Sequence, residues 1–193
     1  MTELYLIMNK PKGYVCSAAS DSHKTVYELL TLELQDLVKN ARRGHRLHTV
    51  GRLDADTTGL LLLTTDGKFS HKIAASGASE SVPKTYLAIL KNPVNAELQK
   101  EYIAKTAKGL VLPPEKKAPE QEAAPAKLHF IKSDTCKITV TEGKFHEVRR
   151  IFKALGNEVL ELQRIAIGSL QLPPDLQPGH YRQLTKDFFD IYF

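Results

Sequence analysis

Cysteine is scarce in this chain and long apolar runs are absent, and each shortage narrows what the protein can be. The 2 cysteines, Cys16 and Cys136, stand far apart with no metal-ligand spacing, which excludes a disulfide framework and a zinc site. No stretch approaches the roughly 20 consecutive apolar residues of a membrane span. The opening Met1 to Lys10 lacks the basic start and small-residue cleavage site of a secretory signal, so a cytoplasmic protein is expected. Acid is missing locally too: nothing acidic stands between Asp36 and Asp54. What is present, 193 residues with 42% hydrophobic and 25% charged, suffices for one large domain or two small subdomains sharing a core.

The formal net charge of +5 is less informative than its distribution. Lys39, Arg42, Arg43, His45, Arg46, His48 and Arg52 crowd one stretch; Lys144, His146, Arg149, Arg150 and Lys153 form a second. Either cluster alone reads equally as a solvated basic face. Two of them, one beside a carboxylate at Asp54, favour a nucleic acid, because phosphate contacts release condensed counterions.

Along the chain, residues 3–8 read as a strand stopped by Asn9-Lys10-Pro11-Lys12-Gly13. Leucine spacing predicts a helix over 26–39, and the basic stretch 40–50 reads as a loop. Leu60 to Leu63, bounded by Gly59 and by Asp66-Gly67, reads as a buried strand, followed by a short helix through Ala75 and a flexible connection over 76–81. Residues 84–91 alternate as a strand with Tyr86, Ala88 and Leu90 on one face. The Pro-, Ala- and charge-rich stretch 113–127 is expected to be an exposed loop or mobile flap. A strand over 136–142 breaks at Gly143 into a helix with Phe145, Val148, Ile151, Phe152 and Leu155 on one face and a stop at Gly156. On that helix Arg150 and Lys153 are expected to point outward. A strand over 159–167 and an aromatic tail, Phe188 to Phe193, complete a pattern without regular alternation, hence α+β.

Three positions carry candidate chemistry. Asp54 sits on a glycine-bounded turn feeding the leucine strand, where packing can fix a catalytic carboxylate; aspartate also favours turns for its own hydrogen bonds. Asp54 and Asp56 alone do not complete a metal site. Arg149, at the edge of an apolar face, needs a partner: Glu142 or Glu147 in a structural ion pair, or Asp54 in a functional one. Tyr86 in an alternating strand is either core or a platform for a nucleobase, on which stacking is worth about 1–3 kcal/mol.

Four segments in order resemble the RsuA-type family of ribosomal RNA pseudouridine synthases. They are Asn9 to Gly13, Gly51-Arg52-Leu53-Asp54 with Thr58 to Gly67, Lys84-Thr85-Tyr86, and Glu142 to Arg150; Leu162 to Gly168 continues the match. The resemblance implies one catalytic domain over 1–193, with two α+β subdomains sharing a mixed, largely antiparallel sheet and an RNA-binding cleft. It implies isomerisation of uridine to pseudouridine in ribosomal RNA, without cofactor or metal, by a monomer. Asp54 would be the catalytic carboxylate, Tyr86 would stack on the base, and Arg149 would keep Asp54 charged. Arg52, Arg42, Arg43, Arg46, Lys84, Lys144 and Arg150 would bind RNA, whether free ribosomal RNA or an assembling ribosomal particle. The target uridine would leave its helix to reach the pocket. With a first strand beginning near Leu4, the small accessory RNA-binding domain of many relatives is expected to be missing. Glu147 stands where the family usually has Gln, adding an acid near Arg149. The rival readings are a non-catalytic RNA-binding or ribosome-assembly factor on the same fold, and a glycosidase-like hydrolase pairing Asp54 with Asp56 or Glu142.

Overall fold

The computed structural model describes residues 3–42, 44–74, 81–116 and 118–193. The chain divides into two units, Met1–Ala75 with Arg164–Phe193, and Ser76–Gln163. The connection expected over 76–81 lies outside the described residues except for Ser81.

Apolar continuity makes the heart of the first unit. Strand β1 (Tyr5–Lys10) is buried along its whole length, two residues beyond the expected stop, because Asn9 and Lys10 find internal partners. A short parallel pair, β2 (Tyr14–Val15) and β3 (Lys24–Thr25), follows. The single helix expected over 26–39 is two pieces: a 3-10 turn over Val26–Leu29, then helix α1 (Leu32–Lys39). The break has a local cause. Glu28 accepts from the Thr25 amide at 2.7 Å, closing the first turn, and Leu30 and Thr31 are extended, so the chain restarts its helix at Thr31. The expected loop 40–50 contains β4 (His48–Thr49), which pairs with β5 (Thr57–Thr64). The leucines of β5 are buried and run antiparallel to β1, from Tyr5 opposite Thr64 to Lys10 opposite Gly59. Asp66 then caps helix α2 (Gly67–Ala74), accepting from the amides of Lys68 and Phe69 at 2.9 and 3.1 Å.

The second unit begins with β6 (Lys84–Leu90), helix α3 (Ala96–Thr106), β7 (Leu110–Leu112) and β8 (Gln121–Ala123). It continues through β9 (Lys127–Phe130), β10 (Thr135–Val140) and helix α4 (Glu147–Ala154). The order β6-β10-β9 is antiparallel throughout. Ala88, Leu90, Ile138, Val140, Val148, Ile151 and Phe152 share its core, so the predicted face of β6 and all of the predicted helix face but Phe145, which precedes α4, pack as read. The boundary between units falls within β11 (Val159–Ile167). Beyond it, Ala166 pairs with Gln171 of β12 (Leu170–Gln171), and β13 (Tyr181–Leu184) pairs with β1. Helix α5 (Lys186–Asp190) sets Phe189 against Tyr5 and Phe69, with ring centroids 5.8 and 5.6 Å away.

The stretch 113–127 corrects the sequence reading. It is not simply an exposed loop: β8 pairs with β7, with Leu110 opposite Ala123, and Ala118, Ala123 and Ala126 are buried. Alanines give no amphipathic signal, yet they fit where backbones come close. Gly109 marks that approach, with φ of +85° and a position whose Cβ would lie 2.6 Å from the Ala123 carbonyl oxygen. Gly109→Ala should therefore cost at least about 2 kcal/mol in urea unfolding. Gly67→Ala, with open space around its Cβ and no positive φ, should stay within about 0.5 kcal/mol.

Candidate active site

In the first unit, a turn between β4 and β5 presents Asp54 half-buried at the mouth of a buried strand. The Asp54 carbonyl accepts from the Thr57 amide at 3.1 Å. Below the turn lies Lys10, fully buried at the end of β1. Its ammonium donates to the carbonyls of Thr57 at 2.8 Å, Pro11 at 3.2 Å and Ala55 at 3.4 Å. Gly13 adds its amide to the Ala55 carbonyl at 2.7 Å. Cys16 closes the side: the Leu53 amide donates to its Sγ at 3.4 Å. Burial pulls the Lys10 ammonium below its ordinary value, while the charges of Cys16, Asp54 and Asp56 act to raise it. The Asp54 turn is thus fixed through its carbonyls, which sets the position of the side chain it carries. Lys10 is a site residue that charge counting missed. Its signal was a lysine closing a mostly apolar strand, where a buried cation must find carbonyls or carboxylates.

Arg52, Arg42 and Arg46 are exposed on this unit, as a phosphate-binding role requires, with Arg46 steadied by donation to the Ala41 carbonyl at 3.2 Å. Arg43 lies outside the described residues.

The second unit carries Tyr86 and Arg149. Tyr86 on β6 is half-buried and packs against the core. Arg149 on α4 is half-buried and donates from Nη1 to the Val159 carbonyl at 2.9 Å. Three cations read as RNA contacts are placed differently. Arg150 does not point outward: it is 1% exposed, and its guanidinium donates to the carbonyls of Pro119, Pro113, Phe145 and Leu112 at 2.6 to 3.5 Å. Helical position alone misjudged it because the chain at Leu112, Pro113 and Pro119 covers that face. Lys84 is buried as well, at 8% exposure, on the core-facing side of β6. Lys144 forms an ion pair with Glu142.

Helix α4 is entered through His146, whose φ of 48° is in the left-handed region that non-glycine residues avoid. Its ring stacks on Phe145 with centroids 3.8 Å apart, and its Nδ1 lies 3.0 Å from Glu115. Glu147 follows, 6% exposed, its carboxylate accepting from the Lys144 amide at 3.3 Å. Burial, reinforced by the charge of Glu142, pushes its pKa up to about 7, against the pull of Lys144 and Lys84.

This acid makes stability depend on pH. The folded state holds a proton on Glu147 up to about pH 7, whereas the unfolded chain releases it near 4.5. The stabilising protonated form is thus fully present below about 4.5 and lost as pH rises towards about 7, a change on the order of 3 kcal/mol. Glu147→Gln, neutral at every pH, should be more stable than the parent by 1 kcal/mol or more (roughly 1–3) at pH 8. Near pH 5 the gap should shrink to about 1 kcal/mol or less, as read by urea unfolding at both values.

Comparison with known proteins bears on the same residues. The family model of RNA pseudouridylate synthase matches residues 4–154, a span that includes Asp54, Tyr86 and Arg149. Ribosomal small subunit pseudouridine synthase A of Escherichia coli strain K12 is 40% identical over 183 residues, 95% of this chain and 71% of that protein. The protein of the same name from Yersinia pestis is 38% identical over 183 residues, 95% of this chain and 70% of its own length. A crystal structure of a pseudouridylate synthase matches with a TM-score of 0.82 at 38% identity, over 99% of this chain and 74% of that one. An H/ACA ribonucleoprotein bound to a substrate RNA containing 2'-deoxyuridine shares the fold at 14% identity, with a TM-score of 0.58 over 91% of this chain and 50% of that one. The chain belongs to the RNA pseudouridylate synthase family.

Proposed function

We propose that this protein isomerises a uridine of small-subunit ribosomal RNA, with Asp54 as its catalytic carboxylate. The observation that carries the reading is the Asp54 turn: its carbonyls are bound by the buried Lys10 and by Gly13, inside the span the family model matches. The substrate follows the relatives, which are named for the small ribosomal subunit.

The reaction adds and removes nothing. The N1–C1′ glycosidic bond breaks, uracil turns in place, a C5–C1′ bond forms, and the proton on C5 is replaced by one on N1. Such a path needs one group to stabilise or capture the separated ribose or base, and a platform that keeps the freed uracil from leaving. Asp54 takes the first role and Tyr86 the second. Arg149 is the cation assigned to that carboxylate. The protein works in this reading as a cytoplasmic monomer with RNA as its partner and no cofactor. Arg42, Arg46 and Arg52 hold phosphates.

Deleting the gene in its host and mapping carbodiimide-marked pseudouridines by reverse transcription should remove one stop in small-subunit RNA. Wild type should restore it and Asp54→Ala should not, with turnover reduced at least about 10³-fold and RNA affinity within a few-fold. Near-normal activity of Asp54→Ala would overturn the assignment, and retained binding with no product from wild type would favour an assembly factor. Arg46→Ala should weaken RNA binding across sequences and reduce the slope of log affinity against log salt by about 1, measured by filter binding at several salt concentrations.

A further inference from the structure

Arg150 stands next to Arg149 in sequence but faces the interior, and nothing in the proposed chemistry uses it. Among the described residues it is the largest side chain below 2% exposure. Its Nε donates to Pro113 O at 2.9 Å, Nη2 to Pro119 O at 2.6 Å and Leu112 O at 3.5 Å, and Nη1 to Phe145 O at 3.3 Å. A cation buried among carbonyls alone is a poor device for stability, since an apolar side chain of similar volume avoids the desolvation. What the planar fork supplies is geometry: it ties both ends of the 112–119 segment to the residue that precedes the strained His146. Glu115, in the same segment, meets His146 at 3.0 Å.

We infer that Arg150 is a positioning residue for Arg149, setting the rotation of α4 about its own axis. Consecutive residues project about 100° apart on a helix. With the Arg150 fork held by the 112–119 segment and Arg149 Nη1 held by Val159 O at 2.9 Å, two directions around the axis are fixed at once. A rotation of about 10° would carry a guanidinium some 8 Å from the axis through more than about 1 Å. Misplacement by about 1 Å can cost about 10²-fold in rate. The Pro- and Ala-rich segment therefore acts as the socket in which the Arg149 helix is set.

The inference rests on the proposed reaction and is tested after wild type has been shown to make pseudouridine; an inactive wild type would sink the reaction, not this step. Single-turnover rate and RNA Kd are measured for Arg150→Lys and Glu115→Ala, well below each variant's unfolding temperature. Arg150→Lys keeps the charge and loses the fork, so its rate should fall about 10- to 100-fold with Kd within about threefold. Glu115→Ala, which removes only the His146 contact, should lose about 3- to 10-fold in the same split. A folded Arg150→Lys within about twofold of wild type, or a rate loss that only tracks its unfolded fraction, would overturn the assignment. Should Arg150→Lys not fold, Glu115→Ala decides: an unchanged rate refutes the socket.

Discussion

A cation taken out of water has to be solvated again by the protein, and here main-chain carbonyls take much of that work. Lys10, Arg150 and Arg164 are 0%, 1% and 3% exposed. Lys10 reaches carbonyls of Pro11, Ala55 and Thr57, Arg150 those of Leu112, Pro113, Pro119 and Phe145, and Arg164 that of Leu60 at 2.7 Å. Several of these oxygens belong to turns or proline segments that no strand ladder serves. Unmet buried carbonyls and unmet buried cations are each expensive. Brought together they define each other: the loop cannot move without exposing the charge, and the charge holds the loop. Two of the three lie beneath or beside proposed catalytic side chains, Lys10 under the Asp54 turn and Arg150 beside Arg149.

Much of the fold was legible because it depends on strong local signals. The leucines of β5, stopped by Asp66-Gly67, could be little other than a buried strand, and the turn before it placed Asp54 at its mouth. The faces of β6 and α4 followed from apolar periodicity. Arg150 was not legible, since helical position says which way a residue points but not what covers it there. The cover is the 113–127 stretch, itself misread because its buried contacts are made by Ala118, Ala123 and Ala126. Side chains that small carry almost no hydropathy pattern and bury through close approach of backbone.

Lys84 was misread for a related reason, and nothing in the sequence marked Glu147 as buried. Composition counts charges as surface, and a lysine and a glutamate that are 8% and 6% exposed look the same in sequence as solvated ones. Their neighbourhood shows why they can coexist inside. Lys84, Lys144 and the Lys144 amide oppose the effects of burial and of Glu142 on Glu147. The acid stays protonated to about pH 7, so it sits in the interior as a neutral group rather than as another anion.

The relocation of these charges also changes where RNA affinity can arise. Of the cations first read as phosphate contacts, Arg150 and Lys84 are buried and Lys144 is engaged with Glu142, whereas Arg42, Arg46 and Arg52 remain exposed. In the proposed reading, phosphate contact is thereby concentrated on the stretch that leads into the Asp54 turn. Each phosphate neutralised adds about 0.9 to the salt slope on duplex and about 0.7 on single strands, so the three proposed contacts among the described residues would give only modest sequence-independent binding. That is a useful poverty for an enzyme that must select one uridine, because non-specific affinity holds it on every other RNA. In that reading discrimination would fall to the shape of the RNA and to the extruded base, whose departure from its helix has an energetic cost that depends on local structure.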